Sequence, residues 1–384
     1  MKTVSNNCYG CDACYSVCSQ NAIEKVSLDG MEKRIIKSDQ CIECLRCKKV
    51  CPSVSTKSMD NKIKQIGCGW SRNKEVLNIA SSGGVFYELA RYFIENEGVV
   101  VGAIFSHDYK RVKHILTDNF SDVKAMMGSK YVESSLEEVY IQIKNTLRMN
   151  RKILFSGTPC QCAAIKNYFA NNDLLTYVEV ICNGVQYTKV LQQQIDSLQQ
   201  MNDSEILSYS MRKKHEACFP IYMHALFENG QSVDVPFYNT HLGKIYGSRI
   251  ALKNSCYSCK FKGEIRCADI TLGDYHGFEL INKVTTPKMG ANTVLINTQK
   301  GANLIEKTVD RIVFVEAKNS SEAIKCNSRI LINGFAPNVL IRNIFNKIIN
   351  KFGLGSAAKI AEFYYLRPAI YLRKIIEKIQ LMRK

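Results

Sequence analysis

Residues 155–164 read FSGTPCQCAA, and with the four residues before them they form the run RKILFSGTPCQCAA. The apolar half is strand-like and Gly157 breaks it. Thr158, Pro159 and Gln161 then have the spacing of a capping box with proline at the first helical position. A strand that turns through such a corner into a helix is a building unit of an α/β fold. Cys160 falls in the first helical turn, where unpaired backbone N–H groups favour a thiolate. Cys162 lies two residues on, about 200° around a helix, so it is expected in the core and not beside Cys160. The residue types leave three roles for Cys160: a nucleophile, a metal ligand, or a helix start that contains sulfur.

Working outward, more strand-like runs appear: GVVVGAIF at 98–105, TYVEVI at 176–181, EILSYSM at 205–211, CADITLG at 267–273, ANTVLIN at 291–297 and RIVFVE at 311–316. Helical stretches lie among them, VFYELARYFIEN at 85–96 with Gly98 as its stop, SLEEVYIQIKNTL at 135–147 and TKVLQQQIDSLQQ at 188–200. These predict an α/β domain with a mixed sheet over residues 66–340. A second glycine-rich corner, ASSGG at 80–84, opens the helix at 85, and its backbone N–H groups suit either a phosphate or ordinary capping. Cys182 ends a strand, with Asn183 and Gly184 turning away. Cys256 and Cys259 form a C-x-x-C pair, with Cys267 eight residues later. Zinc would need another close pair, whereas a cluster site built on these three needs a fourth thiolate from elsewhere, and Cys160 and Cys182, each at a strand end, are the positioned candidates.

The first 58 residues have a different grammar. Cys8, Cys11, Cys14 and Cys18 follow C-x-x-C-x-x-C-x-x-x-C, and Cys41, Cys44, Cys47 and Cys51 repeat it with Pro52 behind. In two-cluster ferredoxins the fourth cysteine of each run ligates the other cluster. One 4Fe-4S cluster is therefore assigned to Cys8, Cys11, Cys14 and Cys51, and the second to Cys41, Cys44, Cys47 and Cys18. Ser19 replaces the usual proline after the first run, which removes no ligand. A segment this small with few large apolar residues is expected to need disulfides or metal to fold, and the clusters would be its core.

The chain has 384 residues, 46% of them hydrophobic, with 17 cysteines and a formal charge of +17. That charge is uneven: +3 over 1–58, +6 over 59–340 and +8 over 341–384. Basicity concentrated in the tail argues against nucleic acid as a partner. The start, MKTVSNNCYG, runs straight into cysteines, and no apolar stretch approaches a membrane span, so a cytoplasmic location is expected.

Six segments, SSGGVF at 81–86, SKYVES at 129–134, FSGTPCQ at 155–161, ICNG at 181–184 and CYSCKFKG with DITLGDYHG within 256–277, resemble the coenzyme F420 hydrogenase and dehydrogenase beta-subunit family, behind a two-cluster ferredoxin-type domain. The resemblance spans about 66 to 310. It implies an iron–sulfur flavoprotein that passes electrons between clusters and FAD, which exchanges hydride with a deazaflavin or another small substrate. It implies Cys160, Cys182, Cys256 and Cys259 as a third 4Fe-4S site, with Cys267 in reserve. Ser82, Gly83, Gly84, Ser129, Lys130, Tyr131, Gly157, Thr158 and Asp274 become candidates for flavin or substrate contacts, Lys130 as a positive charge near the isoalloxazine or a phosphate. Two positions depart from the family pattern, His276 where tryptophan is common and Asn183 where histidine is common. A redox partner protein or reduced ferredoxin is the implied electron source or sink, and the direction is open.

Two other functions compete with this one. Pro-Cys-Gln is also the setting of the cytosine methyltransferase nucleophile, but no glycine-rich S-adenosylmethionine corner is present and a ferredoxin head has no role in methyl transfer. A non-enzymatic electron carrier or adaptor associated with polysaccharide biosynthesis would have clusters and no flavin. In the tail, residues 341–384, Ile341, Ile344, Phe345, Ile348, Ile349 and Phe352 draw one apolar stripe, and Leu372, Ile375, Ile376, Ile379 and Met382 another. Such basic amphipathic helices can lie on membranes, but packing on the protein itself is the favoured expectation.

Overall fold

In the computed structural model, residues 3–28, 31–55, 59–170 and 172–366 are described. A nine-stranded mixed sheet runs in the order Ile312–Glu316, Gln65–Ser71, Asn292–Ile296, Ile270–Asp274, Leu175–Val180, Ile153–Gly157, Val99–Phe105, Val112–Thr117 and Ser134–Ser135. Its centre is parallel: Ile270–Asp274, Leu175–Val180, Ile153–Gly157 and Val99–Phe105 all point the same way. Helices cover both faces, so these strands are apolar on both sides. Val99, Val101, Ile153, Phe155, Leu175 and Tyr177 pack into one core, with Tyr140, Ile143, Ala163 and Ile165. Val100, Leu154 and Val178 point the other way, into a core with Leu89, Ala90 and Phe93. That alternation is the two-residue period of a pleated strand.

The quoted corner forms as the capping spacing predicts. The strand Ile153–Gly157 leads through Thr158 into the helix Pro159–Phe169, and the Gln161 carboxamide oxygen accepts the Thr158 N–H at 2.9 Å. The helix Val85–Glu95 also forms, but Gly98 is not its left-handed stop. Glu97 takes that conformation at φ 61°, while a side chain at position 98 would press on the Phe93 carbonyl at 2.9 Å. The run at 205–211 leaves the main sheet. It opens Ile206–Lys213, which pairs antiparallel with Tyr222–Phe227, itself paired with Ser232–Pro236.

This small sheet shares a core with the helices Thr188–Asn202, His241–Ser248 and Val339–Ala361. The first tail stripe is thus consumed in packing: Phe345 and Ile349 are buried, Ile341 and Ile348 lie against the same core, and Ile344 and Phe352 remain exposed. The second stripe lies outside the described residues. Among the described residues no helix is long and apolar enough to cross a membrane.

The N-terminal segment holds an antiparallel hairpin, Ile23–Leu28 with Met31–Ile36, and two five-residue helices, Ala13–Val17 and Arg46–Val50. Among the described residues its small core joins Val4, Ile23 and Ile36 to buried Cys14 and Cys51. It is seated on the α/β unit through Asp12, whose carboxylate accepts the Leu136 N–H at 3.1 Å and the Ser135 hydroxyl at 3.2 Å.

Candidate functional site

The two N-terminal cysteine runs are built alike. Asp12 and Leu45, 33 residues apart, both precede their helices in the left-handed region, at φ 58° and 59°, and Cys18 and Cys51 both end them in extended backbone. Each helix carries the third cysteine of its run, Cys14 or Cys47. The chain crosses over between runs: Cys8, Cys11, Cys14 and Cys51 line one small cavity with Val4, Arg34 and Pro52. Cys47 feels Cys41, Cys18 and Cys44 as its sulfur neighbours. Amides also point at sulfur, Gly10 N–H to Cys8 Sγ and Ala22 N–H to Cys18 Sγ, both at 3.4 Å. Burial, then Cys8 and Cys51, push the Cys14 thiol up to about 12. Thiols crowded into a dry space ionise together only when a cationic centre compensates them, and that donor chemistry suits an iron–sulfur cluster.

A far larger cavity, about 660 Å³, opens at the carboxyl ends of the parallel strands, where open α/β sheets bind ligands. Its size falls within the roughly 300–1,000 Å³ of cofactor and ligand pockets. Two strand ends, and one short helix with the turn after it, bring Cys160, Cys182, Cys256 and Cys259 to its wall. Cys160 follows Ile153–Gly157, Cys182 follows Leu175–Val180, and Cys256 rides on Asn254–Tyr257. Gly184 permits the approach of two of these segments: at φ 106°, a side chain there would stand 2.8 Å from Leu252 and 3.2 Å from the Cys256 Cβ. Burial, then Cys259, Cys182 and Cys256, raise the Cys160 thiol, so the thiolate favoured by a helix start is not available without a compensating cation. The Thr158 hydroxyl stands 3.1 Å from the Cys160 sulfur. Among the described residues no three His, Cys, Asp or Glu side chains stand as ligands of a single metal ion.

Cys267 is not on this wall. It is buried with Cys162 in the core beneath the sheet, where burial and then Glu179 raise its thiol. Cys162 is fully buried, as helical geometry predicts.

Among the flavin or substrate candidates, Ser82, Gly84, Ser129, Lys130, Tyr131, Gly157, Thr158 and Asp274 line the cavity. Gly83 does not: its Cα faces the sheet, and a side chain would meet the Gly69 carbonyl at 2.5 Å and the Asn292 amide at 2.7 Å. The Ser82 hydroxyl is directed to the Ala291 carbonyl and not to open space. Lys130 also differs from expectation. Its ammonium donates to the carbonyls of Ala125, Met126, Met127 and Gly128 at 3.1–3.2 Å, capping the helix Phe120–Met126, and burial lowers it to about 7. Arg212, which sequence reasoning missed, is a further cation on the wall. It donates to both Asp274 oxygens at 2.9 Å and toward the Tyr131 hydroxyl at 3.4 Å, and its Nε is buried without a partner among the described residues. His114 Nδ1 is another unpartnered buried nitrogen on a lining residue, its ring lowered to about 4 by burial. A large cavity with such orphaned polar atoms fits a polar cofactor.

Sequence reasoning also missed Tyr9. It belongs to the first cysteine run, yet it lines both cavities. Its ring meets Phe261 edge-on at 5.2 Å and its hydroxyl accepts the Lys260 N–H at 3.1 Å. Beside it the Ser255 hydroxyl donates to the Cys8 carbonyl at 3.0 Å. An aromatic residue inside a C-x-x-C was the available signal. His276 and Asn183 line the cavity too, and Asn183 accepts from Arg249 at 2.6 Å through its side chain.

Comparison with known proteins agrees with this division. Residues 150–322 match the family described as the carboxyl-terminal part of the coenzyme F420 hydrogenase/dehydrogenase beta subunit, and residues 7–54 match the 4Fe-4S dicluster domain. The chain is thus similar to a dicluster domain over its N-terminal residues and to the beta-subunit family over its central ones. No curated protein matches it. A chain from the xenon-derivatised F420-reducing NiFe hydrogenase complex of Methanosarcina barkeri is similar at 17% identity and a TM-score of 0.47, covering 78% of this chain and 92% of that one.

Proposed function

With a dicluster domain and a beta-subunit region as the premise, we propose that the chain is a cytoplasmic iron–sulfur flavoprotein oxidoreductase. It moves electrons between the two N-terminal 4Fe-4S clusters, a third held by Cys160, Cys182, Cys256 and Cys259, and FAD, with hydride exchanged with a deazaflavin or another small substrate. The reading takes residues 1–58 as the ferredoxin-type domain, 66–340 as the flavin and iron–sulfur domain and 341–384 as the tail. The observation that carries it is that one cavity wall holds those four cysteines, Ser81, Ser82 and Gly84 of the serine and glycine corner, and Tyr9 from the ferredoxin-type run. When bound, the clusters carry single electrons and the flavin converts them to two-electron transfer.

The chain's own residues then have definable tasks. Tyr9, with the Ser255 hydroxyl on the Cys8 carbonyl, fixes the first cysteine run against the third thiol set. Thr158 orients Cys160, and the Lys262 ammonium holds the Cys182 carbonyl at 2.6 Å. Arg212, buried and held by Asp274, places a fixed cation where negative charge on a bound cofactor or substrate would be stabilised.

Anaerobically purified protein is expected to contain about 12 iron atoms, as three four-iron clusters, and one flavin. Cys160→Ser should remove about four irons and leave the ferredoxin-type spectrum intact. Flavin with only about eight irons in the parent protein would remove the third cluster from the scheme, as would zinc at Cys256 and Cys259. Clusters without flavin would leave the electron-carrier or adaptor function.

A further inference from the structure

The internal repeat of the N-terminal segment has one occupied face and one bare face. In the first run, Tyr9 and Asp12 are 8% and 1% exposed because they seat the segment on the α/β unit. Their counterparts 33 residues on, Ile42 and Leu45, are 63% and 52% exposed. Both are apolar, flank exposed Cys44, and belong to the run farther from the large cavity. Arg46, Lys48 and Lys49 stand exposed beside them, against Glu43 as the one acidic residue between 41 and 51. Solvent-exposed isoleucine and leucine within a basic rim, next to a thiol assigned to a cluster, form an interface with a sign.

We propose that this face of the second run is the docking site for a small acidic one-electron carrier protein. The proposal rests on the cluster assignment above. One electron crosses per encounter: the carrier is oxidised by one, the site at Cys41, Cys44, Cys47 and Cys18 is reduced by one, or the reverse, and no bond is made or broken. Apolar contact at Ile42 and Leu45 gives the complex its lifetime, and the basic rim orients the carrier and excludes basic ones.

The test uses the full-length, iron-loaded protein and a reduced, acidic plant-type 2Fe-2S ferredoxin as the probe, with electron transfer followed by stopped-flow absorbance. Leu45→Asp copies the residue that the first run carries in the same left-handed conformation, so the backbone tolerates it. The double change Lys48→Glu with Lys49→Glu reverses the rim. Each is expected to lower the second-order rate about tenfold or more, and added salt should slow the parent protein steeply. Iron content and reduction by methyl viologen should not change. Should Leu45→Asp lose iron, the Lys48 and Lys49 variant decides the matter. Iron-loaded variants that both accept electrons at the parent rate, or a parent rate indifferent to salt, overturn the docking site alone. So does a dimer in sedimentation that Leu45→Asp dissociates, which would assign the face to a second copy. A parent protein without iron overturns the cluster assignment itself.

Discussion

The chain gathers thiols in two opposite ways. In residues 3–55, eight cysteines sit in two short runs around a core whose large aliphatic side chains, among the described residues, are Val4, Ile23 and Ile36. Around the large cavity, four cysteines arrive from three distant segments on a sheet whose Val100, Leu154 and Phe155 are completely buried. In the first region the bound group supplies what the apolar core lacks, so ligand makes fold. In the second, the sheet has an apolar core of its own on both faces, and fold makes site. Loss of the bound group should therefore have unequal consequences.

Removing iron with a chelator should give the largest effect. Amide hydrogen exchange is expected to lose protection throughout residues 3–55 while the strands Val99–Phe105, Ile153–Gly157 and Leu175–Val180 keep theirs. If both regions lose protection together, the contrast fails.

Second in size is the seam between the regions. Asp12→Ala strands buried Arg34 and should cost about 3–5 kcal/mol in denaturation of the loaded protein. The acid response has a definite sign. Burial opposes ionisation of Asp12, but Arg34, Lys25 and the Leu136 N–H outweigh it and hold the carboxyl below its ordinary value. Its stabilisation is complete above the usual carboxyl range, about pH 4, and is lost as pH falls through the lowered value. The Asp12→Ala protein should lack that part of the acid transition.

The smallest effect probes the site that the fold makes. Gln161→Ala removes the acceptor of the Thr158 N–H and the donor to the Ser134 hydroxyl at 2.8 Å, costing about 1–2 kcal/mol. Under the proposed scheme the third site's iron should survive, because its thiols are placed by the sheet and the segments packed on it. Loss of that iron would mean that local loop geometry holds the site.

Legibility followed locality. The strand-to-helix corner at 158–161 and the spacing inside each cysteine run depend on residues a few positions apart, and the corner formed as its spacing dictates. The departure of Ile206–Lys213 into a separate sheet depends on which strands pair, and an apolar run does not specify its neighbour. Arg212 and Asp274 are 62 residues apart, so nothing in either segment announces their ion pair. Glycine was the most ambiguous signal. In the corner at 80–84, Gly84 takes φ 75° and lines the cavity, whereas Gly83 is small so that two backbones can touch. Lys130 was recognisable as special, but its partners are four carbonyls at a helix end, which no side-chain pattern encodes.

Tyr9 has a kinetic consequence. Its backbone belongs to the first cysteine run and its ring to the wall of the large cavity, so the ferredoxin-type segment is pinned there to the α/β unit. In the proposed scheme an electron leaving the first site meets a fixed gap. The internal step would be governed by driving force and distance, while any waiting time would belong to encounters at the protein's surface.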